Sequence, residues 1–267
     1  MSGLDIMLCV PLRQAAVDSR FFGSFIRAKD YFMSHCDLLP FKVGAIHTRM
    51  DMHTFPIDAN RNVLAAQAQE AGVDYTIWFD ADQSFPEDVI LKLLKHEKPI
   101  VSGMYFAKAL PYFPIIFNCI DHDKEKFRHF RPIFDYPENG DLYYADMIGM
   151  GCVAIQTQVF DKIKQPFFKY QKHPPDTFIK DWRFRVHHKI QDVSEDVWFC
   201  KQIRNAGFRI IVDPSIKCGH FSSFEVNEII YKGVVEQANA DYAEKYGQDK
   251  LEEQWKNKCP VELVKSK

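Results

Sequence analysis

Short apolar runs alternate with helix-like stretches through the first hundred residues of the chain. The apolar runs lie at residues 4–10, 42–46, 74–79 and 99–103, and each is short enough to be a buried strand. Apolar residues at helical spacing lie between them, at residues 21–26, 63–68 and 89–94. Asp58 is a candidate N-cap for the second of these helices, which Gly72 is expected to end. This alternation predicts an α/β fold, in which a mixed, mostly parallel sheet carries helices on both faces.

The second half of the chain is less regular. Residues 112–120, 143–155 and 208–212 are predicted to be strands, with a turn at Asp213-Pro214, and Ser194 is a candidate N-cap for a helix that Gly207 ends. From about residue 225 a long polar helix closes the chain. We therefore expect one domain over residues 1–224, in halves 1–118 and 119–224, followed by a helical tail over 225–267.

Composition and charge narrow the class of protein. Of 267 residues, 46% are hydrophobic and 26% are charged, which is typical of a globular protein rather than a disordered one. The formal net charge of -2 gives no overall attraction to nucleic acid, so a polyanion site would have to be a local patch. No apolar stretch is long enough to span a membrane, and seven scattered cysteines without a Cys-x-x-Cys pair indicate reduced thiols. These features predict a cytoplasmic protein.

Two acidic residues, Asp80 and Asp82, directly follow the apolar run that ends at Phe79. Carboxylates at the end of a buried strand lie at a sheet edge, where they can bind a hard divalent cation. The alternative is structural, because Asp often forms turns and helix caps. Ser84, with Glu87 three residues later, predicts a capping box, so the pair lies in a tight strand-to-helix turn.

Other candidate residues come later in the chain. Glu195 and Asp196 begin a predicted helix, where acidic residues complement the helix dipole. His220 follows a predicted strand, a position where histidine is commonly a surface residue. Neither signal is specific when taken alone.

The order of these motifs resembles that of the GT-A glycosyltransferases. Asp80-Ala81-Asp82 is followed by Gly149-Met150-Gly151 before an apolar strand, then by Ser194-Glu195-Asp196, and then by Gly219-His220. Ala59-Asn60-Arg61-Asn62 fits the same pattern. The resemblance is to the family 2-like group of bacterial and phage genomes, and it covers residues 4–220.

The resemblance implies a metal and a nucleotide-sugar donor. Asp82 would bind Mn²⁺ or Mg²⁺ directly, Asp80 would face the metal's water shell or the donor's ribose, and His220 would be a further metal ligand. Imidazole is a softer donor than carboxylate, which favours Mn²⁺.

The resemblance also implies which residues contact the two substrates. Residues 1–118 would form the nucleotide-sugar half of the domain, and residues 119–224 the acceptor and catalytic half. Pro11, Arg13 and Arg61 would contact the nucleotide. Gly149 and Gly151 would shape the acceptor side.

The catalytic base would be Asp196, beside Glu195. The implied reaction is inverting transfer of one sugar from a nucleotide-diphosphate sugar, with a UDP-sugar as first choice, to an acceptor hydroxyl. Two alternatives stay open: a nucleotidyltransferase with a similar sheet, and a noncatalytic module that binds carbohydrate or nucleic acid.

The acceptor is not defined by any motif. Basic and aromatic residues alternate from Lys124 to Arg131 and from Lys180 to Lys189. These segments are interpreted either as a loop that closes over the donor or as a surface for DNA. In the second case a hydroxymethylated pyrimidine in phage DNA is the candidate acceptor, and the protein would work in the host cytoplasm.

Overall fold

A computed structural model of the chain describes residues 3–13, 16–51, 56–120, 129–172, 178–181, 186–189, 192–222, 224–256 and 262–264. Its α-helices are α1 Ser19–His35, α2 Ile57–Ala71, α3 Val89–Leu94, α4 Glu195–Asn205, α5 Glu228–Tyr246 and α6 Gln248–Lys256, with short 3-10 helices at Cys36–Leu38 and Thr157–Lys162. Its strands are β1 Leu4–Pro11, β2 Val43–Asp51, β3 Tyr75–Phe79, β4 Gln83–Ser84, β5 Ile100–Met104, β6 Ile116–Cys119, β7 His129–Pro132, β8 Tyr143–Ala145, β9 Met147–Ile148, β10 Cys152–Gln156, β11 Gln171–Lys172, β12 Phe178–Asp181, β13 Val186–Lys189, β14 Asp192–Val193, β15 Ile210–Lys217, β16 Gly219–Phe221 and β17 Glu225–Val226.

Seven of these strands form the central sheet, in the order β2-β1-β3-β10-β5-β15-β8. The strands β2, β1, β3, β5 and β15 run in one direction, while β10 and β8 are antiparallel to their neighbours. The predicted mixed, mostly parallel sheet is confirmed. The smaller sheets are β13-β12-β7-β6-β9, β17-β16-β4 and β11-β14.

Helices cover both faces of the central sheet, as the sequence predicted. Along β1, Ile6 and Leu8 pack with α1 and α3, whereas Met7 and Cys9 pack on the opposite face with α2. Alternate residues of a strand point to opposite faces, so a continuous apolar run supplies both cores. All four side chains are fully buried, and burial of Ile6, Leu8 and Met7 stabilises the fold by about 1.5–3 kcal/mol each.

The connections of the first three strands create a crevice. From β1 the chain passes through α1 to β2 on one side, and from β2 through α2 to β3 on the other side of β1. At such a reversal of strand order, the two connections leave a gap beyond the carboxyl ends of the strands. Pro11, at the end of β1, and Asp80, directly after β3, therefore flank one crevice.

Some predicted helix boundaries are confirmed and others are wrong. Gly72 ends α2 with a left-handed φ of 66°, and Ser194 caps α4 through its side chain, which accepts a hydrogen bond from the Val197 amide. Ser84 is not a helix cap, because it lies in β4, donates to Glu225 and is separated from α3. Asp58 is also not the N-cap of α2, since that helix begins one residue earlier.

Two further elements differ from the sequence predictions. β15 continues through Asp213-Pro214, where a turn was predicted, and its register shifts between Val212 and Lys217. The predicted strand over 143–155 is divided into β8, β9 and β10, because the Gly149 to Gly151 turn interrupts it.

The helical tail is confirmed as α5 and α6, and α5 begins after Asn227, whose side chain caps it. Residues 262–264 return to the central sheet, where Leu263 pairs with Tyr143 at the edge strand β8. In the described part of the chain, no helix combines the length and the apolar character needed to cross a bilayer. The boundary at residue 224 stays a prediction.

Candidate active site

A cleft of about 500 Å³ opens at the carboxyl ends of β1 and β3. Most of the residues that the sequence singled out line it. They are Pro11, Arg13, Arg61, Asp80, Asp82, Glu195 and Asp196. These residues come from four separate parts of the chain, so the fold brings the predicted donor and base residues into one cavity.

Arg61 is the buried centre of the cleft's charge arrangement. It lies in the first turns of α2 and is 2% exposed. Its Nη2 atom lies 2.8 Å from Asp80 Oδ1 and 3.9 Å from Asp196 Oδ1, and its Nε atom lies 3.4 Å from Glu195 Oε1. Burial opposes its charge, but the three carboxylates outweigh burial and raise the pKa of Arg61, so the side chain stays charged.

Two asparagines fix the helix turn that carries Arg61. Asn60 is fully buried, and its amide donates to the carbonyls of Leu12 and Asp51 at the ends of β1 and β2. Asn62 donates to the Phe168 carbonyl and accepts from the Phe168 amide. The Asn-Arg-Asn sequence therefore joins three segments of the cleft wall.

Asp80 is held in place by its backbone and its side chain. Its amide donates to the Gly151 carbonyl at 3.1 Å, and its carboxylate accepts from Arg61. Burial raises the pKa of Asp80, although Arg61 acts in the opposite direction. Asp80 is therefore paired with Arg61, and Asp82 is the carboxylate of the two that is more available to a ligand.

Pairing between β4 and β16 places His220 beside Asp82. His220 is opposite Gln83 in this antiparallel pair, and the Phe221 amide donates to the Asp82 carbonyl at 2.8 Å. The His220 Nε2 atom lies 3.6 Å from Asp82 Oδ1. Its Nδ1 atom lies 2.7 Å from the Phe106 carbonyl, which can only accept, so Nδ1 carries the proton and Nε2 has a free lone pair in the neutral ring.

Lys108 is the second cation at Asp82, with Nζ 2.5 Å from Oδ2. Burial raises the pKa of Asp82, but the neighbouring His220 and Lys108 side chains outweigh burial and hold it well below the usual carboxyl range. Asp82 therefore stays ionised at any physiological pH.

The donor atoms at this position fit part of a divalent metal site. Asp82 Oδ1 is buried without a hydrogen-bond partner, and His220 Nε2 faces it. A backbone carbonyl on the other ring nitrogen is the usual support of a metal-binding histidine. Among the described residues, however, no three acidic, imidazole or thiol side chains are grouped closely enough to hold a metal by themselves. Water and substrate phosphates would have to supply the remaining ligands.

Asp196 lines the same cleft from the first turn of α4. The Met150 backbone contributes a hydrogen bond to its carboxylate, while Oδ1 has no hydrogen-bond partner. A position at a helix N-terminus would by itself lower the pKa of Asp196. The structure gives the opposite direction, because burial, and after it the charge of Glu195, raise the pKa of Asp196 well above the usual carboxyl range. A raised pKa makes the ionised carboxylate a better proton acceptor near neutral pH.

Glu195 faces away from the open part of the cleft. It is 3% exposed, contacts the Arg61 guanidinium and is hydrogen-bonded to the Tyr170 phenol. Burial, with the charge of Glu195, raises the pKa of Tyr170, so the phenol stays protonated and donates. Glu195 therefore holds Arg61 and Tyr170 at the cleft wall, and Asp196 is the carboxylate with a free oxygen.

The glycine turn is required by close packing. A Cβ atom at Gly149 would overlap the Tyr105 hydroxyl, and one at Gly151 would overlap the Gln83 amide. The Gly151 amide donates to the Tyr105 hydroxyl at 3.3 Å. Neither glycine lines the cleft. They let the turn approach Asp80, and Met150 between them reaches Asp196.

The sequence did not indicate Lys108, Tyr105 or Tyr170. Tyr105 directly follows β5, and its position at the carboxyl end of a sheet strand was a usable signal. Lys108 and Tyr170 lie in irregular segments, where no pattern distinguishes them from ordinary surface residues.

The two basic and aromatic segments are only partly described. Most of the stretch from Lys124 to Arg131 lies outside the described residues, as do residues 182–185 of the stretch from Lys180 to Lys189. The two interpretations of these segments, a closing loop and a DNA surface, stay predictions.

Comparison with known proteins gives structural neighbours and no sequence relatives. No protein-family model matches the chain, and no curated protein matches it. Protein A197 from STIV is similar at 13% identity over 82% of this chain and 86% of that one, with a TM-score of 0.49. The catalytic domain of Drosophila beta1,4galactosyltransferase 7, complexed with xylobiose, is 13% identical over 79% and 65%, with a TM-score of 0.42. GalNAc-T7 with UDP, GalNAc and Mn²⁺ is 12% identical over 96% and 55%, with a TM-score of 0.44.

This chain therefore spans less than two thirds of the length of these two transferases. The structural neighbours include nucleotide-sugar transferases, the class of protein that the sequence motifs resemble. They also include nucleotidyltransferases. At these identities the likeness describes the arrangement of sheet and helices and not the chemistry of the cleft.

Proposed function

We propose that the protein is a metal-dependent glycosyltransferase that moves one sugar from a nucleotide-diphosphate sugar to an acceptor hydroxyl with inversion. The observation that carries this proposal is the contrast between two carboxylates that line the cleft. Asp82, next to His220, is an ionised carboxylate with an unpartnered oxygen, and Asp196, on another element, is a carboxylate with a raised pKa and a free oxygen. Direct displacement at a sugar carbon requires a site for the leaving group and a separate base, and these two elements supply one each.

The residues of the donor side bind and orient the leaving group. Asp82 and His220 would hold a divalent cation, which when bound supplies positive charge to the leaving diphosphate. Arg13 lies exposed at the cleft, where its guanidinium can pair with a phosphate. Pro11 and Asp80 flank the crevice in which the nucleotide would lie.

Asp196 carries out the proton transfer. The acceptor hydroxyl oxygen forms a bond to the anomeric carbon as the bond from that carbon to the diphosphate oxygen breaks. The hydroxyl proton passes to the free Oδ1 atom of Asp196. The Arg61 guanidinium, 3.9 Å from Oδ1, partly neutralises the charge of ionised Asp196. It makes no hydrogen bond to Oδ1, so this oxygen can accept the proton.

Nucleotide binding tests the proposal and identifies the donor. We expect a thermal shift with one of UDP, GDP or TDP that grows when Mn²⁺ is added, because the diphosphate completes the metal's ligands. Asp82→Asn is the matched variant, since it keeps the side-chain shape and removes the charge. A wild-type protein that shows no nucleotide shift, with or without Mn²⁺, would contradict the proposal.

A further inference from the structure

Lys108 forms an ion pair with the carboxylate that the proposed metal site needs. Its Nζ atom lies 2.5 Å from Asp82 Oδ2, and the two side chains are 37% and 46% exposed in the cleft. An ammonium at this distance repels a divalent cation placed on the same carboxylate. Metal binding at Asp82 is therefore in competition with Lys108.

The segment that carries Lys108 also orients His220. Phe106, two residues earlier, accepts the His220 Nδ1 hydrogen bond and pairs with Pro114, and the Ala107 amide donates to the Phe113 carbonyl at 2.9 Å. This backbone is held in place. The Lys108 side chain is flexible and partly exposed, so it can turn away from Asp82 while His220 keeps its orientation.

The cleft gives the released ammonium an anion to bind. Three described cations line the cleft, and Arg61 is buried against Asp80. Arg13 and Lys108 are the two that reach its open part. Lys108 is therefore placed to contact a donor diphosphate that enters beside Asp82.

We propose that Lys108 is an exchangeable counter-cation, which pairs with Asp82 in the free protein and with the donor diphosphate in the complex. Divalent metal and nucleoside diphosphate then bind cooperatively, because the diphosphate removes the ammonium that competes with the metal. This inference rests on the proposed function, and it adds a regulation of metal binding at the same site.

The test is the affinity for Mn²⁺ of wild-type protein and of Lys108→Met, measured by electron paramagnetic resonance and calorimetry. Each is titrated alone and with whichever of UDP, GDP and TDP gives the largest thermal shift. Without nucleotide, we expect Lys108→Met to bind Mn²⁺ roughly fivefold more tightly than wild type does, because this factor matches the free energy of a partly exposed ion pair. The nucleotide should then enhance Mn²⁺ affinity much less than it does in wild type.

Two controls separate the charge from its position. Lys108→Arg keeps the charge and should behave like wild type. Lys92 of α3 forms a partly exposed ion pair with Asp88, the residue before that helix, away from the cleft. Lys92→Met removes this pair and should leave Mn²⁺ affinity unchanged.

If Mn²⁺ binding depends on Asp82 but is the same in wild type and Lys108→Met, this inference is wrong and the proposed function stands. If wild-type protein binds neither Mn²⁺ nor a nucleoside diphosphate, both are overturned.

Discussion

The turn after β3 and the first turn of α4 each present a carboxylate to the same cleft, yet the two environments shift the carboxyl pKa in opposite directions. Asp82 is surrounded by cationic and donor groups, and its pKa is lowered. Asp196 is buried beside another carboxylate, and its pKa is raised. The same side chain therefore becomes a permanent anion in one place and a proton acceptor in the other. Neighbours and burial set the role, not the residue type.

The strongest test of this contrast is Asp196→Asn. Because a base that is matched to the reaction contributes about 10²–10⁴-fold to rate, we expect transfer to fall by roughly a thousandfold. Nucleotide affinity should be unchanged, since the proposed role of Asp196 is toward the acceptor hydroxyl. Rates from product chromatography and affinities from calorimetry check both parts, and an unaltered rate would remove Asp196 from the mechanism.

Asp82→Asn should give the opposite pattern. Loss of the charged oxygen should weaken Mn²⁺-linked nucleotide binding by about 10- to 100-fold. Binding of the nucleotide without metal should change much less. Calorimetry with and without Mn²⁺ measures the difference, and equal losses in both conditions would show that Asp82 acts without a metal.

The pH dependence of transfer separates the two carboxylates next. Asp196 must be ionised to accept a proton, so kcat/KM should fall as pH decreases through its raised pKa. Asp82, with a lowered pKa, stays ionised throughout this range. We expect an acid limb at a higher pH than for a carboxyl group in water, and residual activity of Asp196→Asn should lack that limb. An acid limb retained in this variant would assign it to another group.

The smallest expected effect is on stability. A group with a raised folded-state pKa contributes stability below its unfolded pKa, and this contribution is lost as pH rises through the folded pKa. Ionised Asp196 therefore costs stability at pH 8, and Asp196→Asn should raise Tm by about 2 °C there, with a smaller gain at pH 5. Scanning calorimetry at the two pH values measures the change in Tm. An equal or smaller gain at pH 8 than at pH 5 would mean that burial does not disfavour the ionised form of Asp196.

The sequence predicted the parts of the site that follow from local pattern. The buried run before Asp80 placed two carboxylates at a strand end, and Ser194 with its acidic successors placed Asp196 in a first helical turn. The contacts of Asp82 were not predictable in the same way. His220 reaches it through pairing of β4 with β16, more than a hundred residues apart, and Lys108 reaches it from an irregular segment. Similarly, burial reversed the expected direction of the Asp196 pKa, because local pattern does not report the packing of neighbouring elements.

The most direct test of the proposed function is the identity of the phosphorus product. Wild-type protein and Mn²⁺ are incubated either with a panel of UDP-, GDP- and TDP-sugars or with nucleoside triphosphates and a sugar phosphate, and the products are resolved by ³¹P nuclear magnetic resonance. Sugar transfer, or slow transfer to water, predicts release of a nucleoside diphosphate that requires the metal and Asp82. Release of pyrophosphate from a nucleoside triphosphate and a sugar phosphate, with nucleotide sugars left intact, would contradict glycosyl transfer and identify a nucleotidyltransferase.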